Sequence, residues 1–202
     1  MKKAYLLYVI FILGCSFNRA GINNIENNEC EDFTIYRTFL KDKYPEFPDK
    51  DIKIWLYNKT TFSWRELQSG EPGTLDEYKN DTYLFLKRNV PITEDTYHNF
   101  ITNNDHPISL KSFHLQSQTI HLLNNKEWNQ SSTLFIKDPM GYYNKYSIYR
   151  IGPWKLSRVG FNKTHNQALL YIEGGGGNSY FIFYEKQNDS WKRVKNIPVK
   201  IT

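Results

Sequence analysis

The sequence predicts an α+β fold in which N-terminal helices pack on a C-terminal antiparallel β-meander. From Trp154 onward four strand-like runs, KLSRVGF, QALLYIE, SYFIFYEK and SWKRVKNIPVKIT, are separated by the short stretches NKTHN, GGGGN and QND. Connections that short force consecutive strands to run antiparallel. Upstream, apolar residues recur at spacings of three and four, the period of a helix. At 40% hydrophobic and 16% aromatic residues in a 202-residue chain, there is enough core-forming material for one ordinary domain.

Taken in order, the chain opens with Lys2 and Lys3 and an apolar run from Ala4 to Gly14, the layout of a signal peptide over residues 1–14. The run is shorter than the roughly 17 residues that a bilayer-spanning helix needs. Cys15 follows, then an Asn-rich polar stretch, residues 16–29, that reads as a flexible tether. The single α+β domain is expected over residues 30–202. Its first helix carries Phe33, Tyr36, Phe39 and Leu40 on one face and ends before Pro45. DIKIWLYN alternates Ile52, Ile54 and Leu56 with Lys53, Trp55 and Tyr57, so a strand with one buried face is expected. Thr74 and Glu77 form a capping-box signature before a helix bearing Leu75, Tyr78 and Leu84. Thr93 caps a further helix whose Tyr97, Phe100 and Ile101 share a face. A strand is expected at QTIHLLN, while the rest of residues 104–153 has no clear period. The meander, formed mainly by residues 154–201, takes the helices on one face. Within SYFIFYEK, Phe181 and Phe183 point one way and Ile182 and Tyr184 the other, which marks a central strand covered on both sides.

The run Gly174–Gly177 is the nearest approach to a chemical motif. A phosphate loop needs its glycines at the mouth of a helix. Here they precede NSYFIFYEK, which is aromatic and β-branched, and neither GK[ST] nor GxGxxG is present. The run is therefore read as a hairpin turn, glycine supplying the positive φ angles that tight turns require.

ILGCS, Ile12 to Ser16, stands at the end of the apolar run and resembles the bacterial lipobox. The resemblance implies a diacylglycerol on the Cys15 thiol, cleavage before that residue and acylation of the new N-terminus. Ser16 is similar to the residue that enteric bacteria place there for outer-membrane sorting. The alternative is a freely secreted chain cut further on, after Ala20. The runs SRVGFN, QALLYIE, the four glycines, YFIFYEK and SWKRV together resemble the C-terminal β-meander of uncharacterised exported bacterial lipoproteins of the Bacteroidetes type. That resemblance implies architecture and a cell-envelope location, and it supplies no catalytic residue, metal ligand or cofactor.

Other chemistry was sought residue by residue. Lys2 and Lys3 leave with a signal peptide, so 24 basic residues face 21 acidic ones, a formal +3, and the basic residues are scattered. Nucleic acid is excluded as a partner on that distribution. The five histidines, His98, His106, His114, His121 and His165, have no zinc-site spacing. Ser157 in KLSRVG lacks the GxSxG elbow of an exposed nucleophile. Glu173 and Glu185 flank the glycine hairpin and would serve acid/base chemistry only if they met across strands. Cys30, without an intramolecular partner once Cys15 is lipidated, reads as a bystander near a helix start, with a reactive thiol or intermolecular bridge as alternatives. Glycosylation sequons at Asn58, Asn80, Asn129, Asn162 and Asn188 are expected by chance among twenty asparagines. The expected role is a lipid-anchored envelope module that binds a protein, peptide or sugar. An envelope hydrolase and a structural or toxin-neutralising protein are the alternatives.

Overall fold

The computed structural model describes residues 24–44, 54–62, 75–113, 120–146, 153–174 and 178–199. The fold is α+β, with the helices in the N-terminal part and a C-terminal meander. The helices are α1 (Asn24–Lys43), α2 (Leu75–Asn89), α3 (Glu94–Asn104), α4 (Asn125–Lys137) and α5 (Pro139–Tyr146). The strands are β1 (Ile54–Tyr57), β2 (Ile120–Leu123), β3 (Trp154–Leu156), β4 (Gly160–Phe161), β5 (Gln167–Gly174), β6 (Ser179–Gln187) and β7 (Ser190–Pro198). They form one sheet in the order β2-β1-β3-β5-β6-β7, with β4 also pairing to β5.

The meander is antiparallel throughout, β3 and β6 flanking β5 and β7 flanking β6. The sheet nevertheless extends beyond it, because β1 pairs in parallel with both β2 and β3. Parallel pairing joins segments far apart in the chain and leaves no local turn signal, so it could not be read from spacing.

Helices cover both faces of the sheet, not the one expected. On one side α1 sets Ile35, Tyr36, Phe39 and Leu40 against Leu56, Leu156, Leu170, Ile172, Ile182 and Tyr184. On the other, Leu86, Val90, Ile92, Tyr97 and Phe100, from α2, α3 and their link, meet Leu169, Tyr171, Phe181, Phe183 and Ile197. The cause is in β5 and β6, which are apolar at consecutive positions. A strand with both alternating sets apolar must be covered twice. Phe181 to Tyr184 are all buried.

Several element details differ from expectation. The helix α1 begins at Asn24, inside the stretch read as tether. In α2 the buried residue is Leu86, while Leu84 is 41% exposed. Thr74, its expected cap, lies outside the described residues, as do the signal segment, Cys15 and Gly175–Gly177. Cys30 falls in α1, but its side chain is not among those described. The ends of the glycine run are described and close a hairpin: Glu173 is opposite Ser179, and Gly174 N donates to Asn178 O at 2.7 Å. A strand, not a helix, follows the glycines.

The Tyr184 hydroxyl is buried and has no hydrogen-bond partner among the described residues. Burial, with the nearby Asp42 charge, pushes its pKa up. An orphaned polar group carries its full desolvation cost, so Tyr184→Phe should leave stability unchanged or raise it by up to about 1 kcal/mol. Urea denaturation checks this, and a loss larger than that would mean the hydroxyl is satisfied.

Candidate functional site

An open recess lies between α3 and the β4–β5 turn. It begins with the asparagines of α3. Asn99 Oδ1 accepts from Phe161 N at 2.8 Å, and Asn103 Nδ2 donates to Val159 O at 2.8 Å. Asn104 pairs with both backbone groups of Arg158, accepting from N at 2.8 Å and donating to O at 3.0 Å. These amides take the place of a neighbouring strand along the outer side of β4, satisfying backbone groups that would otherwise be left unpaired. Helix and strand are thereby stapled together at close range.

The N-terminus of α3 is held from the sheet as well. Thr93 stands at the N-cap without a side-chain bond to the helix N–H groups, contrary to the capping expected of it. Its hydroxyl shares a 2.8 Å hydrogen bond with Thr96 Oγ1 instead. Gln167 of β5 accepts from Thr93 N at 3.0 Å and, at 3.1 Å, from whichever of the Thr93 and Thr96 hydroxyls does not donate to the other, and its amide donates to Pro91 O at 2.9 Å. Asp95 bridges onward, its carboxylate accepting from Lys163 N at 2.8 Å and from Thr96 N at 3.1 Å.

The turn itself is built on Asn162, which is buried. Its Oδ1 accepts from Asn166 N and Gln167 N, both at 2.9 Å, while its Nδ2 donates to Thr164 Oγ1 and Asn166 Oδ1. An Asn with both ends consumed inside a turn holds that turn's shape. His165 takes φ of 50°, a left-handed conformation that L residues adopt infrequently. That backbone places its ring nearly parallel to Phe161, centroids 5.8 Å apart, with Nδ1 2.6 Å from Glu31 Oε2 of α1.

The result is an open groove of about 620 Å³ lined by Glu94, Asp95, His98, Asn99, Thr102, Phe161, Asn162, Lys163 and His165. Glu94, His98 and Thr102 form one stripe of α3, spaced by four, and Lys163 and His165 face them from the turn. One acid, Glu94, two imidazoles and an ammonium line the groove with Asn99, Asn162 and Asp95, whose side chains are committed to hydrogen bonds within the fold. Such a rim can hydrogen-bond a polar ligand from two sides.

The backbone bond from Lys163 leads the interactions that hold the Asp95 carboxyl below the usual carboxylate range. A depressed folded pKa gives stability that is present above the unfolded value, about 3.9, and is lost as pH falls through the folded value. Asp95→Asn should therefore flatten the acid limb of the stability curve below about pH 4. Urea midpoints measured from neutral pH downward check this; parallel curves for the two proteins would show that Asp95 is not the titrating group.

The other residues singled out in the sequence do not gather into a site. Glu173 and Glu185 lie at opposite ends of the β5–β6 hairpin, opposite Ser179 and Gln167 respectively. Six residues of strand separate those levels, about 20 Å, and Glu173 is engaged by Lys155 Nζ at 2.9 Å. Ser157 is buried, its hydroxyl donating to Arg158 O and accepting from Tyr171 N. That leaves no nucleophile there. His121 lies beside Trp55 and Glu127 at the β2 edge, His106 is exposed, and His114 lies outside the described residues. No group of three or more His, Cys, Asp or Glu residues among those described is placed to hold a metal ion. No described helix is long and apolar enough to cross a membrane.

The residues that sequence reasoning passed over are His98, Lys163 and His165 as a group. Only the fold joins α3 to a turn nearly seventy residues later, and only the fold brings His165 to Glu31. No protein-family model matches the chain, and no curated protein or solved structure is detectably similar to it.

Proposed function

We propose that the chain is a lipid-anchored binding module of a bacterial cell envelope, Cys15 carrying the acyl groups and the α3/β4–β5 groove taking a small polar peptide or sugar. The observation that supports the binding half is the groove's construction: a mixed-charge rim of Glu94, His98, Lys163 and His165 alongside Asn99, Asn162 and Asp95, whose own hydrogen bonds are internally committed. Rigid support beside adaptable polar contacts is what recognition requires. The anchor rests on the apolar segment ending in Ile12–Ser16. Several acyl chains, at about 0.8 kcal/mol per buried CH₂, hold a protein on a membrane without a spanning helix.

Amide shifts of the labelled protein, titrated with soluble cell-wall fragments, short peptides and oligosaccharides, test the groove. The expected result is a response centred on His98, Lys163 and His165, weakened about tenfold by Lys163→Ala, a loss near 1.4 kcal/mol. Shifts elsewhere, or an unaltered affinity in Lys163→Ala, count against it. The anchor is tested by comparing membrane partitioning and the N-terminal peptide mass for the full-length chain and Cys15→Ala in a bacterial host. A wild-type peptide beginning beyond Cys15, or one without acyl groups, points to a freely secreted protein.

For a hydrolase, the second reading, the nearest feature is His165 Nδ1 at 2.6 Å from the Glu31 carboxylate, but the two atoms are not in hydrogen-bond geometry, so the acid does not orient the imidazole as a base requires. No serine, threonine or cysteine lies among the groove residues beside it except Thr102, whose hydroxyl donates to His98 O.

A further inference from the structure

The groove between α3 and the β4–β5 turn holds opposite charges that do not satisfy one another. On the helix wall Glu94 is exposed, and its carboxylate makes no hydrogen bond or ion pair among the described residues. Lys163 is exposed on the facing turn, and its ammonium is likewise unpaired, although its backbone N–H is fixed to Asp95 at 2.8 Å. A ligand that carries both a positive group and an acceptor can bridge such a pair.

The balance of charge decides which end of a ligand enters. Two acids of the lining, Glu94 and Asp95, stand against one ammonium. Asp95 keeps its charge while it accepts from two backbone N–H groups, and those bonds favour the ionised form. Glu31 adds a third carboxylate behind His165, its Oε2 2.6 Å from Nδ1. The recess is therefore acidic on a chain whose formal net charge is +5. The hydrogen-bonding groups point the same way. Thr102 spends its proton on His98 O at 3.0 Å, which leaves its oxygen as an acceptor, and a carboxylate only accepts. The groove asks for a positively charged donor. A neutral sugar would leave the net charge unanswered, and a carboxylate terminus would meet its own sign.

We propose that the groove takes the free amino end of a peptide, its ammonium against the α3 stripe of Glu94, His98 and Thr102 and its first carbonyl on the Lys163 ammonium. The inference rests on the reading of this groove as a binding site and narrows its occupant to an unblocked peptide N-terminus.

The test titrates the labelled protein at neutral pH and low salt with four probes and follows amide shifts. Ala-Ala-amide offers the amino end alone, acetyl-Ala-Ala the carboxylate alone, acetyl-Ala-amide neither, and a neutral disaccharide stands for the sugar. Ala-Ala-amide is expected to shift His98 and Lys163 saturably, and the acetylated probes and the disaccharide to leave them at background. Glu94→Gln should weaken Ala-Ala-amide about fivefold, the upper range for an exposed charge pair. Raising the salt to about 1 M should weaken the parent and hardly alter the variant. Glu94 is exposed, and an unchanged melting temperature confirms that the variant folds. Equal or tighter binding of acetyl-Ala-Ala or of the disaccharide at the same residues keeps the groove as a binding site and overturns the amino-end assignment. An unaltered affinity in Glu94→Gln overturns it as well. So does silence toward all four probes, in which case the groove itself stands or falls on the cell-wall fragments.

Discussion

Gly160→Ala is expected to destabilise the protein by about 3 kcal/mol, more than any other single methyl addition the structure suggests. A Cβ at this position would lie 2.5 Å from both the Cα and the N of Phe100 in α3. Those are backbone atoms of a helix fixed to β4 by three asparagine side chains, so the neighbour cannot swing away as the end of a long side chain could. Relief requires α3 to move off the strand, which breaks the amide staples and opens the contact of Phe100 with Phe62 and Phe181. Overpacking of this kind costs about 1–3 kcal/mol where the surroundings relax, and the upper end applies where backbone meets backbone. Because Asn99, one of these staples, lines the groove, the amide signals of His98 and Lys163 should shift in whatever fraction remains folded. A urea midpoint within about 0.5 kcal/mol of the parent would show that helix and strand are not held at this distance.

Replacing Arg158 by Met should cost about 3 kcal/mol, for a different reason. Arg158 Nε donates to Asp32 Oδ2 at 3.3 Å, and the Asp32 side chain is completely buried. Removing the guanidinium takes a counter-charge away from a fully buried carboxylate, a larger penalty than the pair's own net contribution. The double variant Asp32→Leu/Arg158→Met removes both charges and should recover more than half the loss. A double-mutant cycle separates the two effects. Equal losses in the single and double variants would mean that the cost lies in packing, not in charge.

How much of this could be read beforehand depends on how local each signal is. The hairpin at Glu173–Ser179 was legible because two apolar runs meet across a glycine turn, and α1 was legible because Tyr36, Phe39 and Leu40 recur at the helical period. The two-sided cover of Phe181 to Tyr184 was also legible, although its consequence, helices on both faces, was not followed through. The helix α4 was missed even though Asn124 and Glu127 carry a capping-box signal, because Asn, Gln, Ser and Thr in its middle dilute the apolar period. In α5 a proline at the first position was the available sign. The groove had no local sign at all. Lys163 meets Asp95, and His165 meets Glu31, through contacts that exist only once sheet and helices are assembled. Spacing gave no metal site or nucleophile to look for, and it could not show that unremarkable histidines would share a rim.

The long reach of α1 bears on how the chain matures. Tyr36 donates to Ser157 O across 121 positions, and Asp32 meets Arg158 across 126. During synthesis the first helix therefore emerges before most of the partners that bury it: Leu56 follows soon after, but Leu156, Leu170, Ile172, Ile182 and Tyr184 wait until the final third of the chain has been made. Contacts of such separation slow folding, because the loop must close before they contribute anything. Until then the nascent chain lacks most of the surface on which α1 docks, and trimming away β5 to β7 would remove Leu170, Ile172, Ile182 and Tyr184 from it.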